Sequence, residues 1–222
     1  MCGRCVVAIP PEELAKIIAN IEVKCSVEPR YNVAPTQQVA VIRSIGDHNV
    51  LSMMKWGLIP SWAKDTKIAS HTINARSETV AEKPAFRIAI RYKRCIVPTS
   101  GFYEWEHAGS IKQPYFIKLA NQAPMCLAGI WEHWQAPEGF ELETFSILTT
   151  SANTLVQPLH DRMPVILHKE DFDLWLGNNV HDPKSLQHLY SPFPADEMEA
   201  IKVSNLVNNP KFDSPACIAP VS

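Results

Sequence analysis

Short runs of β-branched and aromatic residues, punctuated by turn residues, dominate this chain. QVAVIR (38–43), VLSMMKW (50–56), CIVP (95–98), GFYEWEH (101–107), YFIKLA (115–120), MCLAGIW (125–131), TFSILTT (144–150) and MPVIL (163–167) each read as a strand. Ala108-Gly109-Ser110 predicts a hairpin between two of them. Helical periodicity is scattered. Leu14, Ile17, Ile18 and Ile21 follow an i, i+3, i+4, i+7 rule behind Pro10-Pro11. Pro84 to Lys93 predicts a short helix with Phe86, Ala89 and Ile90 inward. Segments 168–176 and 184–190 read as helices, and Gly177 stops the first. Many short strands with peripheral helices predict an α+β class: one domain over residues 1–222, with a distorted, barrel-like antiparallel core.

Composition narrows the function classes. The chain has 222 residues, 46% hydrophobic and 20% charged, which is ordinary for a globular protein. No apolar run approaches the ~20 residues of a membrane helix, so no membrane association is expected. The opening MCGRCVVAIPPEE lacks both a charged n-region and a long apolar h-region, so no secretory signal is expected. The six cysteines therefore read as reduced thiols of a cytoplasmic protein. A net charge of −2 excludes a globally basic nucleic-acid binder and leaves room for a local patch. Lys83, Arg87, Arg91, Lys93 and Arg94 supply a candidate phosphate-binding stripe, set against the commoner solvated helix face.

The chemistry concentrates at residue 2. Cysteine is small enough to permit removal of the initiator Met, which would leave an α-amine and a thiol on one residue. The α-amine is uncharged roughly 400 times more often than a lysine amine at neutral pH. Only the uncharged amine forms a Schiff base, and the adjacent thiol closes on the imine as a five-membered ring. An N-terminal cysteine is thus an aldehyde trap; alternatively, Cys2 is incidental. Cys2-Gly-Arg-Cys5 is formally a CxxC, but no second ligand pair stands at zinc spacing and no helix start follows a strand there. No metal and no cofactor are expected.

Three polar clusters lie in apolar surroundings: TINARSET (72–79), VPTSGFYEWE (97–106) and LHDRMPV (159–165). Strand alternation puts Phe102, Glu104 and Glu106 on one face, with Tyr103 and Trp105 on the other. A carboxyl among aromatics suits general acid–base work, whereas an edge-strand Glu would only face water. His160 suits proton transfer or caps a helix end. Arg162 suits a phosphate or pairs with Asp161. Asn74 and Arg76 would orient a substrate or satisfy buried backbone. Trp56, Trp62 and Trp105 would stack on bases or fill the core.

Taken together, MCGR (1–4), YNVAPT (31–36), KWGLIPSW (55–62), INARSET (73–79), RCIVPTSGFYEW (94–105) and LHDRMPVIL (159–167) resemble the SRAP family of abasic-site processing proteins. The blocks run in the family's order over nearly the whole chain. The resemblance implies a single α+β domain around a distorted barrel. It also implies binding of single-stranded DNA with an abasic site, and a thiazolidine between the processed Cys2 and the sugar aldehyde. It places Asn74, Glu104 and His160 beside Cys2 in the active site, with Asn74 orienting the sugar and the amine, Glu104 moving protons and His160 assisting ring opening. It places Arg4, Arg76 and Arg162 near phosphates, and Trp56 near the bases. Cys5, where the family often has an aromatic, and Met163, where some members are basic, depart from the pattern. The alternatives are an N-terminal-nucleophile amidohydrolase or cysteine peptidase using Cys2, and a non-catalytic nucleic-acid binder. A monomer is expected.

Overall fold

The computed structural model describes residues 2–18, 21–108, 111–177 and 179–221. In chain order the elements are β1 (Cys5–Val7), α1 (Pro11–Ile17), β2 (Ile21–Val23), β3 (Arg30–Val33), β4 (Gln38–Ile45), β5 (His48–Trp56) and β6 (Asn74–Arg76). Then follow α2 (Ala89–Tyr92), β7 (Arg94–Thr99), β8 (Gly101–Ala108), β9 (Ile111–Leu119), β10 (Met125–Gln135), β11 (Glu141–Ser151), β12 (Arg162–Pro164), α3 (Phe172–Leu176) and β13 (Met198–Lys202).

β5, β4, β7, β10 and β11 pair antiparallel in that spatial order. A parallel pairing of β11 with β5, Thr144↔Lys55 and Phe145↔Trp56, closes the ring into a five-stranded barrel. The closing corner depends on Gly57. Its φ is +123°, and a Cβ there would lie 2.5 Å from the Ala69 carbonyl oxygen, so only glycine fits. Strand alternation gives the wall two apolar faces. Ala40, Ile42, Ile96, Ala128 and Leu148 join the cluster that holds Leu14, Ile17, Ile90 and Trp175 of the helices. Val39, Val41, Val97, Phe145 and Ile147 join the cluster that holds Cys2, Cys5, Val33, Phe102 and Ile117.

That second cluster is shared with another sheet, ordered β13-β9-β8-β1-β3. β1 lies antiparallel between β8 and β3, with Cys5 opposite both Phe102 and Val33. A strand this short at a chain end frays unless tied down. Here the C-terminal segment ties it. Buried Asn32 donates from Nδ2 to the carbonyls of Val207, Asn209 and Phe212. Its Oδ1 accepts from Arg4 Nη1 at 2.6 Å, and the same nitrogen donates to the Val207 carbonyl at 2.7 Å. Asp213 accepts from the Tyr31 and Asn32 amides and pairs with Arg30.

The barrel, the α+β class and seven of the eight expected strands are present; MPVIL (163–167) is strand only at Met163 and Pro164 of β12, with an isolated bridge at Ile166. β8 and β9 pair through Ala108↔Ile111; Gly109 and Ser110, the expected hairpin turn, lie outside the described residues. Phe86, Ala89 and Ile90 are buried as the periodicity predicts, but α2 is only four residues long. Segment 184–190 is a 3-10 helix starting at Pro183, and segment 168–176 is α-helical only from Phe172. The basic stripe does not form. Arg94 opens β7 and is buried, donating to the carbonyls of Ile90, Arg91, Trp175 and Gly177, while Lys93 pairs with Glu132. No helix among the described residues is long and apolar enough to cross a membrane.

Asn32→Ala should lower the unfolding free energy by about 3 kcal/mol, because it takes the Asn32 donor from the Asn209 and Phe212 carbonyls and leaves Arg4 only the Val207 carbonyl. Urea denaturation measures this as a lower midpoint at unchanged slope.

Candidate active site

Cys2, Asn74 and Glu104 come together where the N-terminal strand meets the barrel. The chain enters β1 beside β8, and the Tyr103 amide donates to the Arg4 carbonyl at 2.9 Å. This carries Cys2 alongside Glu104. β6 runs parallel to β11, with Asn74 opposite Ile147. Asn74 Nδ2 donates to the Cys2 carbonyl at 2.8 Å. Its Oδ1 is buried and has no hydrogen-bond partner among the described residues. That leaves one buried acceptor unused beside residue 2.

Burial sets the electrostatics. Cys2 is wholly buried, and Glu104 is only 4% exposed. Burial, then the neighbouring Cys5 and Glu104, push the Cys2 thiol well above its ordinary value. Burial likewise pushes the Glu104 carboxyl up to about 7, and the negative Asp161 adds to the rise. At neutral pH Glu104 is therefore divided between acid and carboxylate. Cys5 lies in the same cluster, its thiol pushed up to about 12 by burial.

His160 stands on the loop before β12, beside Asp161, whose charge reaches Glu104. A tight turn presents it: Asn153 Oδ1 accepts from the Leu155 and Val156 amides, and the His160 amide donates to the Val156 carbonyl. The Arg162 amide donates to His160 Nδ1 at 2.9 Å. Asp161 Oδ1 lies 2.7 Å from the same nitrogen. A neutral imidazole accepts from Arg162 there, whereas a protonated one donates to Asp161. The backbone and side chain of one loop thus accommodate both protonation states. Asp161 is 83% exposed and His160 29%, so the site meets solvent along this edge.

The other expected residues divide. Arg76 is exposed on β6. Arg162 opens β12 and forms a two-pronged ion pair with Glu78. Arg4 instead turns inward to Asn32 and Val207 and sits 5.9 Å from the Trp105 ring. Trp56 is wholly buried, stacked on Phe145. Its Nε1 donates to the Ile73 carbonyl. It offers no face to a base; it steadies the strand that carries Asn74. Trp62, by contrast, is 59% exposed. Among the described residues no group of three or more His, Cys, Asp or Glu is placed to hold a metal. Sequence reasoning missed Asn32, whose YNVAPT context gave no sign of pairing with residues 207–213, together with Asp213 and Glu78.

A family model described as SOS response associated peptidase (SRAP) matches residues 1–210. The abasic site processing protein YoqW of Bacillus subtilis (strain 168) is 49% identical over 191 residues, covering 86% of this chain and 85% of YoqW. The abasic site processing protein HMCES of Xenopus tropicalis is 28% identical over 265 residues, covering 100% of this chain and 78% of its own. A crystal structure of a Bacteroides thetaiotaomicron protein superposes with a TM-score of 0.90 at 30% identity, with 100% of both chains covered.

The raised Glu104 carboxyl destabilises the fold once ionised. Its folded pKa of about 7 exceeds the ordinary 4.5, so stability falls as pH climbs through that window. Glu104→Gln should gain about 2 kcal/mol over the parent at pH 8 and less than about 1 kcal/mol at pH 5. Thermal melts at the two pH values check this.

Proposed function

The chain belongs to the SOS response-associated peptidase family, and on that premise we propose that it processes abasic sites, binding single-stranded DNA at the lesion and linking to it through Cys2. The observation that carries this reading is the burial of a cysteine at position 2 against a carboxyl whose pKa is raised to about 7. The relatives YoqW and HMCES, both named abasic site processing proteins, support it.

Removal of Met1 frees the Cys2 α-amine. That amine adds to the C1′ aldehyde of the ring-opened sugar to give a carbinolamine. Protonated Glu104 gives its proton to the departing hydroxyl, water leaves, and a protonated imine and the Glu104 carboxylate remain. The Cys2 thiol then adds to the imine carbon and closes the thiazolidine, while its proton returns by way of the Glu104 carboxylate. The balance is amine plus thiol plus aldehyde giving thiazolidine plus one water. A carboxyl with a pKa near 7 holds both protonation states that this sequence needs. Asn74 holds the Cys2 carbonyl, and its Oδ1 accepts from the amine or a sugar hydroxyl. His160, at the solvent edge, moves the proton that opens the sugar ring. Arg76 and Arg162 take phosphates. Arg4 and Trp56 act indirectly, by seating residue 2 and the Asn74 strand.

An acyl-transfer reading needs Cys2 as a thiolate. The burial that raises its thiol runs against that, while capture through the amine needs no thiolate at the outset.

Protein lacking Met1, mixed with an abasic single-stranded oligonucleotide, should give a heat-stable adduct. Its intact mass should equal protein plus oligonucleotide minus one water. Cys2→Ala or a retained Met1 should abolish it, and an undiminished adduct from Cys2→Ala would sink the reading. Glu104→Gln should slow linkage by about 100-fold or more. The parent's rate should bend near pH 7 and the Gln variant's should not.

A further inference from the structure

Glu78 has no role in the chemistry above, yet it occupies the surface where a strand's phosphates would lie. Arg162 Nη1 donates to Glu78 Oε1 at 2.6 Å and Nη2 to Oε2 at 2.8 Å. Nη2 also donates to the Thr149 carbonyl at 2.6 Å. The guanidinium is therefore anchored from within by β11, and its outward fork is filled by a carboxylate. Arg162 is 13% exposed, whereas Glu78 is 51% exposed. Arg76, two residues before Glu78, is exposed on β6. The hydrogen bonds from Arg162, with the charges of Arg162 and Arg76, hold the Glu78 carboxyl below its ordinary range.

A carboxylate and a phosphate present the same two-oxygen edge to a guanidinium fork. A phosphate could replace Glu78 without moving Arg162, because the Thr149 carbonyl keeps the guanidinium in place. Only the exposed Glu78 side chain has to swing aside. We propose that Glu78 stands in for a DNA phosphate on Arg162, so that a strand must displace it to bind. The inference rests on the reading of the chain as a binder of single-stranded DNA. With Glu78 in place, the pair of arginines carries one net positive charge rather than two. Non-covalent binding to undamaged strands is thereby weakened, while a lesion-bearing strand is retained by its bond to Cys2. A phosphate repays the two-pronged pair it displaces with the same fork geometry, which makes the exchange accessible.

Fluorescence anisotropy with an undamaged single-stranded oligonucleotide tests this. Glu78→Gln and Glu78→Ala should each bind about 5-fold tighter than the parent at low salt. Their log–log salt dependence should be steeper by about 0.7, one further phosphate neutralised. Most of the gain should vanish in an Arg162→Ala background. Equal or weaker binding by both Glu78 variants, with the parent binding and forming adduct on an abasic strand, overturns this proposal and leaves the functional reading standing. Absence of both binding and adduct in the parent overturns the functional reading and this proposal with it.

Discussion

The side chain of residue 2 keeps a fixed position only if β1, three residues long, is held still. Everything at this site depends on the annealing of β1 between β8 and β3. Three strand residues alone could not resist thermal motion. The added restraint is the hydrogen-bonded knot of Arg4, Asn32 and the carbonyls of Val207, Asn209 and Phe212. Asn32 uses both ends of its amide, so one buried side chain joins the first strand to the last segment. Arg4, which reads from sequence as a phosphate ligand, is better understood as part of this restraint.

The same burial that fixes Cys2 tunes its neighbours. Withdrawal from water disfavours charge. It therefore keeps the thiol protonated and raises the Glu104 carboxyl into the neutral range. Those shifts suit amine-first capture, in which an acid is needed before a base. They also make the site a locus of stored instability, since an ionised Glu104 opposes folding. The His160 loop completes the balance at the solvent edge, where a backbone amide and Asp161 each favour a different state of one imidazole nitrogen.

Much of this was legible in the chain itself. The alternation in GFYEWEH separated Phe102 and Glu104 from Tyr103, and the structure puts Phe102 and Tyr103 in different clusters. The strands of five or more residues announced themselves by pattern, apart from β13. β1, β2, β3 and β6 did not, because three or four residues carry too little periodicity and are defined by their partners. The Arg87–Arg94 stripe misled for a similar reason: helical spacing was assumed to run on, whereas the backbone turns into β7 at Arg94. Trp56 shows the limit for single residues. An indole in a strand reads equally as a base-stacking platform or as core, and only the closure of β5 on β11 decides for core.

The restraint on β1 spans nearly the whole length of the polypeptide: residues 4 and 32 await residues 207 to 213. A nascent chain leaving the ribosome amino end first cannot complete it. Until residues 207 to 213 emerge, β1 lacks this restraint and Cys2 its fixed place beside Glu104. A polypeptide clipped before residue 207 would thus keep Cys2 but lose the arrangement around it. The topology makes the geometry at residue 2 a property of the assembled domain rather than of its first strand.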